Sequence, residues 1–173
     1  EKAIWELTEE EIDLVLDVDL KGAIMGSKLA MEEMAKNKKG AIYNIEGYGS
    51  NDAKMLGLSI YGTSKRAITY FTEALALESK EKNTNVIVGK LSPGIMITDF
   101  ITNALGDKEK IILPEKTKKV YNILGDYPDV VAKFLVEKML KNKKNNAKIE
   151  WLTNKKAMFR FMTCAFNKRD FFK

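Results

Sequence analysis

Tyr61 and Lys65 stand four residues apart at the start of a segment, Ser59 to Lys80, whose apolar positions Ala67, Ile68, Phe71, Ala74 and Leu75 recur at helical spacing. On one helix that spacing puts the phenol and the ammonium on the same face and within reach of each other. The chemistry open to such a pair is proton transfer to a carbonyl that is being reduced, where negative charge grows on oxygen and must be stabilised and then protonated. A phenol with an ordinary pKa of about 10 is too weak an acid for that, and a fixed cation one turn away is expected to lower it. Ser50 is the only hydroxyl between Gly47 and Gly57 besides Tyr48. It lies in a glycine-rich turn and is the candidate for a second donor to the same oxygen. Asp19 falls seven residues after Ile12 on an apolar stripe, where a carboxylate needs a partner.

The elements that must position these groups follow from periodicity. Thr8 and Glu11 are spaced as a capping box, and Ile12, Val15, Leu16, Leu20, Ala23, Ile24, Leu29, Ala30 and Met34 predict one long amphipathic helix that stops between Asn37 and Gly40. Ala41 to Glu46 predicts a buried strand entering the turn at Gly47, Gly49, Asn51 and Asp52. Asn85 to Leu91 predicts another, ended by Ser92-Pro93-Gly94. Pro128 to Lys141 predicts a helix, Lys148 to Leu152 a last strand, and Met158, Phe161, Met162 and Ala165 a short amphipathic helix. From Thr98 to Asp126 the pattern weakens, and a stretch of that length with little regular structure is expected to be a substrate lid. Helix, strand, helix, strand is an α/β order, so a single domain with a parallel sheet covered on both faces is expected across all 173 residues.

Taken in order, these motifs resemble the short-chain dehydrogenase/reductase family. Its members place a serine after one strand, Tyr-x-x-x-Lys on the next helix and Pro-Gly-x-x-x-Thr after the following strand; here these are Ser50, Tyr61-Gly-Thr-Ser-Lys65 and Pro93-Gly94-Ile-Met-Ile-Thr98. The resemblance implies a Rossmann-like doubly wound parallel sheet, NAD or NADP as cofactor, and a small carbonyl or alcohol substrate. It implies Tyr61 as general acid and base, with Ser50, Lys65 and Asp19 completing the catalytic group. Lys65 would reach the nicotinamide ribose, and Asn44, Pro93, Gly94 and Thr98 would join Tyr61 and Lys65 around the cofactor. Pro93-Gly94 and Thr98 would face its nicotinamide and pyrophosphate.

The sequence departs from the family pattern in three places. Asp19-Leu-Lys-Gly22 stands where the family usually has Asn-x-x-Gly. Asn44-Ile-Glu-Gly-Tyr-Gly-Ser50 looks like the variant turn of chlorophyll b reductases and their bacterial relatives, with the serine nearer the tyrosine than usual. The Thr-Gly-x-x-x-Gly-x-Gly turn that seats a pyrophosphate on a helix N-terminus is not among these residues, and Gly47-Tyr-Gly49 lacks its third glycine. Glu1 is no methionine and a helix signal follows almost at once. The expectation is therefore a C-terminal catalytic portion lacking the N-terminal glycine-rich half.

Composition narrows the classes further. There is no histidine and one cysteine, Cys164, which excludes a serine-histidine-aspartate triad, a zinc site of imidazole and thiolate, and a disulfide framework. A lone cysteine, no long apolar run and no charged-then-apolar leader predict a cytoplasmic protein with no membrane span. Residues 133–173 hold twelve Lys and Arg against Glu137, Glu150 and Asp170, a local +9 that leaves −4 for residues 1–132. The basic tail at 154–173 supports a second reading, a non-catalytic module that binds an acidic partner or a membrane surface. No nucleic-acid-binding motif accompanies the charge, so nucleic acid is not an expected partner. Leu14, Met25 and Met31 on the first helix and Tyr70, Ala76 and Leu77 on the second lie beyond a single apolar stripe, which predicts a homodimer or a homotetramer built from it.

Overall fold

The computed structural model describes residues 2–98 and 114–172. The first helix, α1 (Glu9–Val15), begins where the capping box places it: the Glu11 amide donates to Thr8 Oγ1, and the Thr8 amide donates to Glu11 Oε2 at 3.0 Å. The helical path runs on to Lys36, but not as the single α-helix expected from periodicity. Leu16–Lys21 forms a π-helical turn before α2 (Gly22–Lys36), with the Gly22 amide donating to the Asp17 carbonyl. Such a turn admits one extra residue and re-aims the side chains it carries. An apolar period of 3.6 is blind to a single insertion of this kind.

Next come β1 (Gly40–Ile45), α3 (Ser59–Glu81) and β2 (Val86–Ser92), each within two residues of its expected bounds. β1 and β2 pair in parallel from Gly40 opposite Val86 to Ile45 opposite Leu91, and β3 (Lys148–Glu150) completes a sheet of order β1-β2-β3. The fold is Rossmann-like α/β. Leu75 and Ala76 of α3 pack on Val88 of β2, joined by Met31 and Phe71. Burial of each large apolar side chain of this kind contributes about 1.5–3 kcal/mol.

That core corrects one expectation. Met31 and Ala76 face inward and add nothing to an outer apolar face. The outward row consists of Leu14, Val18, Met25 and Leu29 with Tyr70 and Leu77 of α3, all largely exposed. Beneath it a buried polar line ties the helices to the sheet. Ser27 Oγ of α2 donates to Asn44 Oδ1 of β1 at 3.2 Å, and Asn44 Nδ2 donates to Thr72 Oγ1 of α3 at 3.0 Å.

The chain divides into two compact units, Glu1–Ser92 with Lys141–Ile149, and Pro93–Leu140 with Glu150–Lys173. The second contains α4 (Glu115–Leu124), most of α5 (Pro128–Lys141) and α6 (Asn154–Thr163). α4 lies in the stretch expected to hold little regular structure, and residues 99–113 of that stretch lie outside the described ones. The helix escaped notice because Val120, Tyr121, Ile123 and Leu124 crowd into its last turns instead of recurring along it. Asp126 organises this unit. It accepts from Trp151 Nε1 at 2.6 Å, Arg160 Nη1 at 2.7 Å and Arg169 Nη1 at 3.1 Å. The same two arginines donate to the carbonyls of Ile123, Leu124 and Gly125, where the dipole of α4 favours positive charge. Among the described residues no helix is long and apolar enough to cross a membrane, and no group of His, Cys, Asp and Glu could hold a metal ion.

Candidate active site

The turn after β1 is held against the first turns of α3 by three devices. Gly49, at φ +99°, would bring a Cβ to 2.6 Å from Gly62 Cα, so the bare Cα of Gly49 lets the turn and helix backbones meet. The hydroxyl of Ser50, which is buried, accepts from the Gly47 amide at 3.1 Å and donates to the Lys65 carbonyl at 3.2 Å. Arg66 donates to the Ser50 carbonyl and pairs with Asp52.

This clamp sets the half-buried Tyr61 phenol directly over Gly47. A Cβ on Gly47 would lie 2.5 Å from Tyr61 Oη and 3.0 Å from Lys65 Cγ. The phenol oxygen therefore occupies the room that any side chain at position 47 would need. Sequence inspection treated Gly47 only as part of a turn, because the feature that matters there is a missing atom.

Lys65 Nζ lies 5.4 Å from the centre of the Tyr61 ring and donates to Asp19 Oδ1 at 2.8 Å. The π-helical turn carries Asp19 to this point from 46 residues away. With 15% and 24% of their side chains exposed, lysine and aspartate form a mostly buried ion pair. The partner that the stripe position of Asp19 demanded is thus Lys65.

Burial holds the Tyr61 phenol above its ordinary pKa of 10.0; Lys65 pulls it down, and Asp19 pushes it further up. Lys65 lowers the phenol as its spacing predicts, but burial and then Asp19 outweigh it; the net lowering expected for catalysis counted an oxidised nicotinamide beside the phenol as well.

The remaining candidates fall in different places. Asn44 accepts from Ser27 with its amide oxygen and donates to Thr72 with one N–H, so its side chain joins helices to sheet and keeps one further N–H. Pro93, Gly94 and Thr98 belong to the second unit. There Gly94 has φ +74°, and a Cβ on it would strike Leu152 Cβ at 2.6 Å. Sequence reading also missed Glu46, a buried carboxylate at the end of β1 that pairs with Lys148 Nζ at 3.2 Å and accepts from Thr69. An open cavity of about 330 Å³ beside Ser79, Lys80, Asn83 and Asn85 lies at the opposite, N-terminal end of β2. Ligands of open α/β sheets sit outside the carboxyl ends of the strands, where Tyr61 meets Gly47.

Comparison with known proteins gives the family and the fold. The family model described as short chain dehydrogenase matches residues 1–109. The chain belongs to the short-chain dehydrogenase family. A probable chloroplastic chlorophyll(ide) b reductase of Arabidopsis thaliana is 27% identical to this short-chain dehydrogenase over 163 residues, covering 94% of the chain and 31% of the relative. A dehydrogenase/reductase, SDR family member 4, of Homo sapiens is 32% identical over 127 residues, covering 73% of the chain and 44% of the relative. The crystal structure of acetoin dehydrogenase from Enterobacter cloacae superposes with a TM-score of 0.66 at 19% identity, covering 87% of this chain and 58% of that one, a likeness of fold. The chain spans 31% and 44% of the length of these two curated relatives.

Proposed function

We propose that the protein is an NAD(P)-dependent oxidoreductase that interconverts a small carbonyl and its alcohol, with Tyr61 as general acid and base. The observation that carries this reading is the placement of Tyr61 Oη: half-buried, over the bare Cα of Gly47, one helical turn from Lys65, and with no hydrogen-bond partner among the described residues. A phenol so placed is free to meet a carbonyl oxygen.

The residues present fit the nicotinamide half of a dinucleotide. Lys65 Nζ has three N–H donors and gives one to Asp19, which leaves two for ribose hydroxyls. Pro93, Gly94 and Thr98, after β2, are assigned to the nicotinamide and pyrophosphate by their place in the family motif. When bound, the reduced cofactor supplies the hydride. In reduction the carbonyl carbon takes that hydride and the carbonyl oxygen takes the proton of Tyr61; solvent then reprotonates the phenolate. Ser50 joins this group at a cost, since its one proton already goes to the Lys65 carbonyl and must leave it to reach a substrate.

The second reading, a binding module built on the basic tail, is weaker because Arg160 and Arg169 are engaged with Asp126 and the end of α4. A homodimer through the outward row of Leu14, Val18, Met25, Leu29, Tyr70 and Leu77, and a reducing compartment such as the cytoplasm, complete the proposal. The Arabidopsis relative is chloroplastic, so fractionation of cells is the measurement that decides the compartment.

The test is Tyr61→Phe in the full-length protein. Carbonyl reduction should fall about 100-fold or more while binding of the nicotinamide cofactor is nearly unchanged, because only the acid is removed. Retention of more than about a tenth of the turnover overturns the assignment. Lys65→Ala should weaken both.

A further inference from the structure

We infer that Asp19 is a positioning residue whose carboxylate, by engaging Lys65, keeps the Tyr61 hydroxyl protonated and so sets the pH at which the site reduces carbonyls and the pH at which it oxidises alcohols. The inference rests on the proposed acid/base role of Tyr61 and adds to it the residue that tunes that role.

The geometry leaves Lys65 between two partners. On one side the phenol ring lies 5.4 Å away, and on the other Asp19 Oδ1 lies at 2.8 Å. A lysine facing a phenol alone favours phenolate. A lysine whose charge is matched at hydrogen-bond distance exerts much less of that pull, and the aspartate adds a like charge that opposes ionisation of the phenol. Both effects of the carboxylate have the same sign. Burial of Tyr61 acts in the same direction.

Other charges near these elements are turned elsewhere. Glu46 at the end of β1 pairs with Lys148 and accepts from Thr69, Arg66 of α3 pairs with Asp52, and Lys21 of the π-helical turn pairs with Asp17. Among the described residues, Lys65 and Asp19 are the two charges that act on the phenol. The placement is local to the π-helical turn, because Asp19 is one of the residues that turn re-aims.

A neutral phenol is the form that gives its proton to a carbonyl oxygen; the phenolate is the form that takes a proton from an alcohol. With Asp19 in place the neutral form persists to higher pH. Reduction then keeps its acid across the neutral range, and oxidation waits for more alkaline conditions. The overall equilibrium is untouched, since only the pH dependence of the two rates is set.

The test reads the phenol directly. In protein carrying tyrosine labelled with carbon-13 at Cζ, the Tyr61 signal is identified by its loss in Tyr61→Phe and titrated with pH. Asp19→Asn should move its ionisation to lower pH, giving about tenfold more phenolate at a fixed pH below the midpoint. Asp19→Glu, which keeps the charge, should restore the titration toward that of the wild type. Should the amide fail to fit, Asp19→Ser removes the charge with a smaller side chain and carries the same expectation. A midpoint that is unchanged or higher in the neutral variants overturns the role of Asp19. In the full-length protein the alkaline fall in carbonyl reduction should move to lower pH alongside the titration. The two claims separate cleanly. A titration that moves while Tyr61→Phe keeps its turnover overturns the catalytic reading; one that stays while Tyr61→Phe is inactive overturns the tuning.

Discussion

Gly47→Ala tests the placement of the proposed catalytic phenol by adding one methyl group. The new carbon would lie 2.5 Å from Tyr61 Oη, 3.0 Å from Lys65 Cγ and 3.2 Å from Lys65 Cδ. Ordinary contact begins at about 3.5 Å, so the phenol oxygen must retreat by about 1 Å and the lysine stem by less. A displacement of that size in a reacting group costs about 100-fold in turnover. The backbone adds no penalty, because Gly47 is absent from the positions of positive φ. Overpacking typically costs about 1–3 kcal/mol, and a half-buried tyrosine that can swing outward puts this case at the low end. The expected result is thus a large loss of carbonyl reduction beside a small fall in melting temperature. Gly26→Ala is the control, since a Cβ there meets nothing within 4 Å in the middle of α2. It should leave turnover alone and stabilise the helix by about 0.5–1 kcal/mol. If Gly47→Ala keeps turnover within about threefold of the wild type, the phenol is not where the chemistry happens. A collapsed thermal transition would instead place the effect in folding.

Acid should weaken the second unit through Asp126. Burial alone would raise this carboxyl, but hydrogen bonds from Arg160 and Trp151 and the charges of both arginines hold it below its ordinary 3.8. A depressed folded value means that the stabilisation is complete above about pH 3.8 and is lost as pH falls through the lower folded value. Trp151 fluorescence, followed in urea at stepwise lower pH, should show that loss, and a flat profile would remove Asp126 as its source. Asp126→Asn leaves two arginines without a counter-charge and should cost about 3 kcal/mol in the same assay at neutral pH. The outward apolar row should give a dimer by light scattering at roughly tens of micromolar, a concentration suited to an ordinary two-fold contact. Leu29→Glu together with Leu77→Glu should make it a monomer; a wild-type monomer would end that proposal.

The parts of this molecule that sequence exposes are those whose cause is local and repeated. The capping box at Thr8, the span of α3, and the strands ending at Ile45 and Ser92 each follow from the types of neighbouring residues, and each stands within two residues of its expected limits. Tyr61 and Lys65 share a face for the same reason, since four residues make about one helical turn. What escaped depends on relations through space. Asp19 could be singled out as a carboxylate on an apolar stripe, but its partner lies 46 residues away, across a turn whose extra residue leaves no periodic trace. Arg160 and Arg169 read as surplus charge at the end of the chain, yet both close on Asp126, 34 and 43 residues earlier.

The phenol at position 61 joins both kinds of cause. Spacing supplies the cation, which by itself lowers the pKa of a phenol. Burial and a third charge decide the outcome, and neither follows from four residues of sequence. Position 47 is the sharper case. Every side chain except hydrogen would collide with Tyr61 Oη there, so the phenol oxygen constrains the turn after β1. The same bare Cα leaves position 47 with no side chain to donate to a substrate, and the Ser50 hydroxyl in the turn already donates to the Lys65 carbonyl. In the proposed reaction, stabilisation of the developing oxyanion would therefore fall chiefly on Tyr61, and the rate would turn on the protonation state of that phenol and on the Asp19 to Lys65 pair behind it.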